Sequence, residues 1–156
     1  MSEQDLTDIL VERPELEFLL LADHAEAMNG KLYLMGGGWD RRAIADLRQT
    51  QTFAVALGVL IPWNDTNRPI PLAMTLRDVD GVDVVQPLQT QIVLGRPATA
   101  TPGQKLRYML AINYQLVFAH PGQYVVEARA GTGPAKRVSF FVDALPAPPA
   151  GPAGSR

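Results

Sequence analysis

Three groups of residues carry functional side chains close enough in sequence to suggest chemistry. The first is Asp23-His24 with Glu26. An imidazole flanked by carboxylates is the material of a general base or a metal site. In an extended strand, however, side chains alternate, so His24 and Glu26 share one face and Asp23 takes the other. Two ligands do not close a zinc shell, and His120, the other histidine, lies in a His-Pro-Gly turn far along the chain. The second group is acidic: Asp78, Asp80 and Asp83 around Gly81. Its spacing lacks the ligand pattern of a helix–loop–helix calcium site, and Asp65 alone answers from another loop. A polar hairpin turn is the expected role. The third group pairs indoles with short polar side chains: Trp39-Asp40 and Trp63-Asn64-Asp65, with Arg68 nearby. Were both loops at one end of a sandwich, they would form an aromatic platform with hydrogen-bonding groups, suited to a sugar-like ligand or a peptide. The alternative is that both indoles plug the ends of the core, with Arg68 pairing Asp40 or Asp65.

Nucleophilic catalysis is poorly supplied. The serines are Ser2, Ser139 and Ser155, no Gly-x-Ser-x-Gly elbow occurs, and there is no cysteine. Gly36-Gly37-Gly38 could present amides to an anion, but a phosphate loop needs a following helix or a Lys-Ser/Thr pair. A backbone bend is expected there. No catalytic residue, metal or cofactor is assigned, and the chain is not expected to be an enzyme.

These residues need elements to hold them. Asn29-Gly30 is the strongest local signal, because a two-residue type I′ hairpin turn requires positive φ at both central positions. It fixes a register: Met28 opposite Lys31, Ala27 opposite Leu32, Glu26 opposite Tyr33, Ala25 opposite Leu34, His24 opposite Met35. One face then carries Leu19, Leu21, Ala25, Ala27, Leu32 and Leu34, and reads as core. The other carries His24, Glu26, Met28, Lys31, Tyr33 and Met35, and is amphipathic. Asp23 falls on the core side as a misfit, to be met by a bulge or a bond near Gly36. The three glycines should end the strand and release Trp39. Residues 41–52 read as connection, with room for a helical turn or a short irregular strand.

In Phe53–Ile61, large residues alternate with small ones, which suits a central strand covered on both sides. Further alternating runs begin at Ile70, Val82, Leu88, Leu106, Tyr124 and Val138, separated by turns rich in Gly, Pro, Asn and Asp. Seven to nine short strands at this spacing predict an all-β antiparallel sandwich of the Ig-like, Greek-key type. The expected divisions are a polar segment over 1–14, one sandwich domain over 15–143, and a disordered Pro/Ala/Gly tail over 144–156.

Composition narrows the function classes. The chain has 156 residues, 47% apolar and 19% charged, with net charge −2. One domain of this length buries a sufficient core without disulfides. No basic stripe is present, so a nucleic-acid footprint is not expected. No apolar run approaches the roughly 20 residues of a membrane span. The acidic start Met1–Asp5 lacks the basic and apolar regions of a secretory signal. A soluble cytoplasmic protein is the expectation.

The stretch Asn29–Asp40, preceded by Ala22-Asp23-His24-Ala25-Glu26, resembles a family of bacterial, largely actinobacterial, β-sandwich proteins of unknown function. Pro62-Trp63-Asn64-Asp65-Thr66-Asn67-Arg68-Pro69 is similar to a second signature of that family, and Pro121-Gly122-Gln123-Tyr124 with Arg137–Val142 to its last hairpin. The resemblance implies a fold and a bacterial source, and no activity. The function expected from the residues is therefore a non-enzymatic interaction module. Its partner would be another protein or a second copy, met by Tyr33, Met35, Met28 and His24. A small ligand at the Trp39/Trp63 loops is one alternative; an unrecognised enzyme, which would need His24 and Glu26 to converge with Asp65 or Asp40, is the other.

Overall fold

Asn29 and Gly30 both adopt positive φ, 52° and 72°, and join β1 (Glu15–Met28) to β2 (Lys31–Gly37). The strands pair from Met28–Lys31 through His24–Met35 in the expected register. The computed structural model describes residues 1–3, 5, 12–146 and 151. The polar segment expected over 1–14 and the tail expected over 144–156 lie partly outside them.

Among the described residues nine strands form two sheets. β1 and β2 join β4 (Gln51–Pro62) and β7 (Lys105–Leu116) in the order β2-β1-β4-β7. The second sheet adds β3 (Arg41–Ile44), β5 (Ile70–Asp78), β6 (Leu88–Ile92), β8 (Gly122–Ala130) and β9 (Lys136–Ala144), in the order β3-β9-β8-β5-β6. The expected all-β sandwich is observed, with one departure from antiparallel pairing: β3 runs parallel to β9. Between β2 and β3 the chain passes from the first sheet to the second. Residues 82–85 make an isolated bridge, Arg77 to Asp83, rather than a strand.

β4 is the axis of the core. Phe53, Val55, Leu57, Val59 and Ile61 are fully buried between the sheets, against Leu72, Met74 and Leu76 of β5, Val126 of β8 and Phe140 of β9. Its small residues face the other way and are also covered: Ala54 and Ala56 cluster with Ala22 and Ala25, and Gly58 lies beneath the Phe18 ring. Both sides of this strand are thus occupied, as the large/small alternation predicts. A ring cluster closes one end, where Phe118 meets Tyr124 edge-on at 4.8 Å. The Tyr124 hydroxyl donates back to the carbonyl of His120 at the mouth of β8, the tyrosine corner found in Ig-type sandwiches.

The hairpin departs from expectation in its distal half. β1 pairs with β4 only as far as Ala22, then reaches across the outer surface to β7, where Asn113 bonds Ala25. Ala25 is buried there, while Ala27 and Leu34, expected in the core, are exposed. Alternation places them on one face, but that face runs past the edge of the surface it covers. β2 also persists through Gly36 and Gly37, with Gly37 opposite Ala22. Gly36 (φ 61°) leaves space for the Asp23 carboxylate, which a Cβ would meet at 2.3 Å.

Candidate functional site

The residues expected on the amphipathic face of the hairpin do come together. His24, Glu26 and Met28 of β1 and Tyr33 and Met35 of β2 line a shallow depression of about 260 Å³. It faces solvent: Met28 and Tyr33 are each 52% exposed and Met35 68%. This follows from the two-residue turn, which stacks alternate residues of both strands on one side. His24 Nε2 lies 3.1 Å from Glu26 Oε1, with both side chains half exposed. Among the described residues no second carboxylate joins them. Asp23 points elsewhere, Asp40 offers its carbonyl to the Phe141 N–H on β9, and Asp65 sits in the 3-10 turn after β4. Among the described residues no group of three or more His, Asp or Glu side chains is placed to hold a metal ion.

The two indoles do not meet. Trp39 packs edge-on against Phe53 and Phe140, at 6.0 and 5.6 Å between ring centroids, at the start of β4. Trp63 follows its last residue, Pro62. Ten residues at roughly 3.3 Å each separate them by about 30 Å, so of the two readings the common platform does not form, and Trp39 packs against an end of the core as the other has it. Each indole is instead roofed by an arginine. Arg42 lies 4.8 Å from the Trp39 ring, and Arg96 lies 3.5 Å from the Trp63 ring. Neither indole N–H meets an acceptor among the described residues; packing and guanidinium stacking hold both rings.

Arg42 also settles Asp23. Its guanidinium donates to Asp23 at 3.2 Å and to the Thr52 carbonyl at 2.9 Å. With its side chain 17% exposed, burial lowers the Arg42 pKa, and the Asp23 charge pulls the other way. Arg96 takes the place expected of Arg68. It donates to the Thr66 hydroxyl and the Trp63 carbonyl at 2.8 and 2.9 Å, while its own N–H goes to the Asn67 side chain. Arg68 and Asn64 are exposed, and among the described residues Arg68 makes no ion pair. The Asp78 carboxylate accepts the N–H groups of Asp80 and Val82, both at 2.9 Å; it shapes the turn.

Sequence reasoning passed over Asn113. It lies on the outward face of β7, a neutral amide among alternating apolar residues, and that mismatch with strand preference is its signal. Its side chain bonds both backbone groups of Ala25, and beside it a groove of about 400 Å³ separates Ala25–Met28 from Tyr108–Asn113. Among the described residues no helix is long and apolar enough to cross a membrane.

Residues 17–143 match the Family of unknown function (DUF6941), and the chain belongs to that family. Comparison with curated proteins gives no match.

Proposed function

For this member of a family of unknown function, we propose a non-enzymatic β-sandwich module that binds another protein through the outward face of the β1–β2 hairpin. The observation that carries the reading is the exposed cluster of Met28, Tyr33 and Met35 around the His24–Glu26 pair. Methionine and tyrosine are enriched in protein interfaces, where they supply adaptable apolar area and a polar tip. A contiguous apolar surface on a rigid two-stranded element, edged by polar groups, is the kind of patch that partners cover. The proposal places the module in a bacterial cytoplasm, supported by a chain without cysteine; cell fractionation tests that placement.

A double variant, Tyr33→Ser with Met35→Ser, tests the binding face. Both side chains are exposed, so the melting temperature should stay within a few degrees of wild type. Quantitative affinity capture from the source cells should find a protein retained by wild type and lost by the variant. Light scattering distinguishes a second copy from a different partner. If the two baits retain the same proteins and have the same mass in solution, the reading fails.

A further inference from the structure

Asn113 shows what the groove beside β7 recognises. Its side-chain amide donates to the Ala25 carbonyl at 2.8 Å and accepts from the Ala25 N–H at 3.4 Å. One amide that both donates to and accepts from a single strand residue does what a neighbouring peptide group does in a sheet. The hairpin register identifies the next residue offering the same pair. A two-residue turn makes Met28 and Lys31 a hydrogen-bonded pair, so Glu26 and His24 also bond to β2. Ala25 and Ala27 therefore direct their N–H and C=O away from β2. Asn113 takes those of Ala25. Those of Ala27 open into the groove, since Ala27 is opposed only by Leu32 of β2 and the pairing of β1 with β4 has ended at Ala22.

The opposite wall is also a strand edge. β7 ends its sheet, so half of its backbone groups point away from β4. Pro62 has no N–H, so its pair with Lys105 is not a hydrogen-bonded one; Leu106, Tyr108 and Leu110 therefore bond β4, and Met109 and Ala111, which line the groove, direct their N–H and C=O to the free edge. At the mouth, beside Asn29-Gly30, stands Arg107, held by Glu17 at 2.5 Å. Lys105 is one step further along the same face and makes no ion pair among the described residues.

We infer that this groove is a β-augmentation site that takes one extended segment of a partner polypeptide. The segment's backbone bonds Ala27 on one wall and the β7 edge on the other, and an acidic residue at its mouth end meets Lys105. The inference rests on the protein-binding reading above, but it uses the β1 edge of the hairpin, where Tyr33 and Met35 take no part.

The probe is a phage-displayed library of random dodecapeptides selected against the full chain, with the best binder measured by fluorescence anisotropy. Ala27→Pro removes an N–H that faces away from β2, a position where a strand tolerates proline. Its expected effect is a loss of about tenfold in affinity, that of one backbone hydrogen bond. Lys105→Glu should also weaken binding, and the Tyr33→Ser/Met35→Ser double variant should bind as wild type. Titrating the peptide into the wild-type chain should shift the amide resonances of Ala27 and of Tyr108–Asn113, a readout independent of whether Ala27→Pro folds. Failure to enrich any peptide, or a binder that leaves the Ala27 resonance unmoved, overturns the inference. A binder lost with Tyr33 and Met35 but indifferent to Ala27→Pro overturns the groove and leaves the hairpin-face reading standing. Dimers that Ala27→Pro converts to monomers also overturn it, assigning the groove to a second copy.

Discussion

Asn113 and Ala25 are 88 positions apart and joined by a two-way hydrogen bond between a side-chain amide and a peptide group. That pair ties the distal half of the β1–β2 hairpin to β7. Asn113→Ala leaves the Ala25 carbonyl and N–H without their partner, and the expected loss is about 1–2 kcal/mol. Asn113→Asp should cost at least as much, since a carboxylate cannot donate to the Ala25 carbonyl. Urea unfolding reads this as a lower midpoint at unchanged slope. A wild-type midpoint for both variants would show that the hairpin is held by its alanine contacts alone.

Phe18 and Gly58 make a second close approach on the same surface. A Cβ at Gly58 would stand 2.5 Å from the edge of the Phe18 ring, and that ring lies over the middle of β4. Gly58→Ala should therefore destabilise by about 1–3 kcal/mol through overpacking. Adding Phe18→Ala should recover part of the loss, because the two changes share one contact. Strictly additive effects in thermal melts would refute the steric account.

The parts legible in the sequence were those set by local geometry. Asn29-Gly30 dictates its own turn, and the turn dictates every pairing from Met28–Lys31 to His24–Met35. The alternation of Phe53–Ile61 announces a strand covered on both sides, as found. Coverage itself is not a local property. Ala27 and Leu34 share a face with buried Ala25 yet stay exposed, because their burial depends on how far the hairpin reaches across the sheet. The shared-platform reading of the indoles fails for a different reason. One full strand, β4, separates them in sequence, and the loops flanking a single strand fall at opposite ends; shared composition does not bring them together. Arg96 over Trp63 had no local signal, since its partner lies 33 positions away.

The turn after β5 and the turn before β8 are clasped by Asp78 and His120, 3.4 Å apart. The bond from His120 Nδ1–H to the Pro121 carbonyl raises the imidazole pKa, and the Asp78 carboxylate adds to it. The Asp78 carboxyl is held below its ordinary range by the Val82 N–H, with help from Asp80 and His120. A raised histidine contributes stability in full below its unfolded value, about 6.5, and loses it as pH climbs through the folded value. A depressed aspartate contributes above its unfolded value, about 3.9, and loses it as pH falls through the folded one. The clasp should therefore be strongest between about pH 4 and 6.5. In melts from pH 5.5 to 8.5, wild type should lose more stability than His120→Gln. Parallel curves for the two would mean that the histidine contributes nothing through its charge.

Arg96 makes the sharpest case for geometry over charge. It stacks on Trp63 at 3.5 Å, its guanidinium donates to the Thr66 hydroxyl and the Trp63 carbonyl, and its backbone N–H donates to Oδ1 of Asn67, a residue with φ 61°. A guanidinium can stack flat and donate from its edge at the same time; an ammonium cannot. Arg96→Ala should lower stability by about 1–3 kcal/mol, from the lost stacking and hydrogen bonds together. Arg96→Lys keeps the charge but should recover little of it. Tryptophan emission separates the local effect from the global one. Trp63 should become more exposed, and the total emission should shift to the red below the melting temperature, while Trp39, about 30 Å away along β4, stays packed. A Trp39→Phe background isolates the Trp63 signal. Full recovery of stability and emission by Arg96→Lys in that background would show that positive charge alone holds the loop.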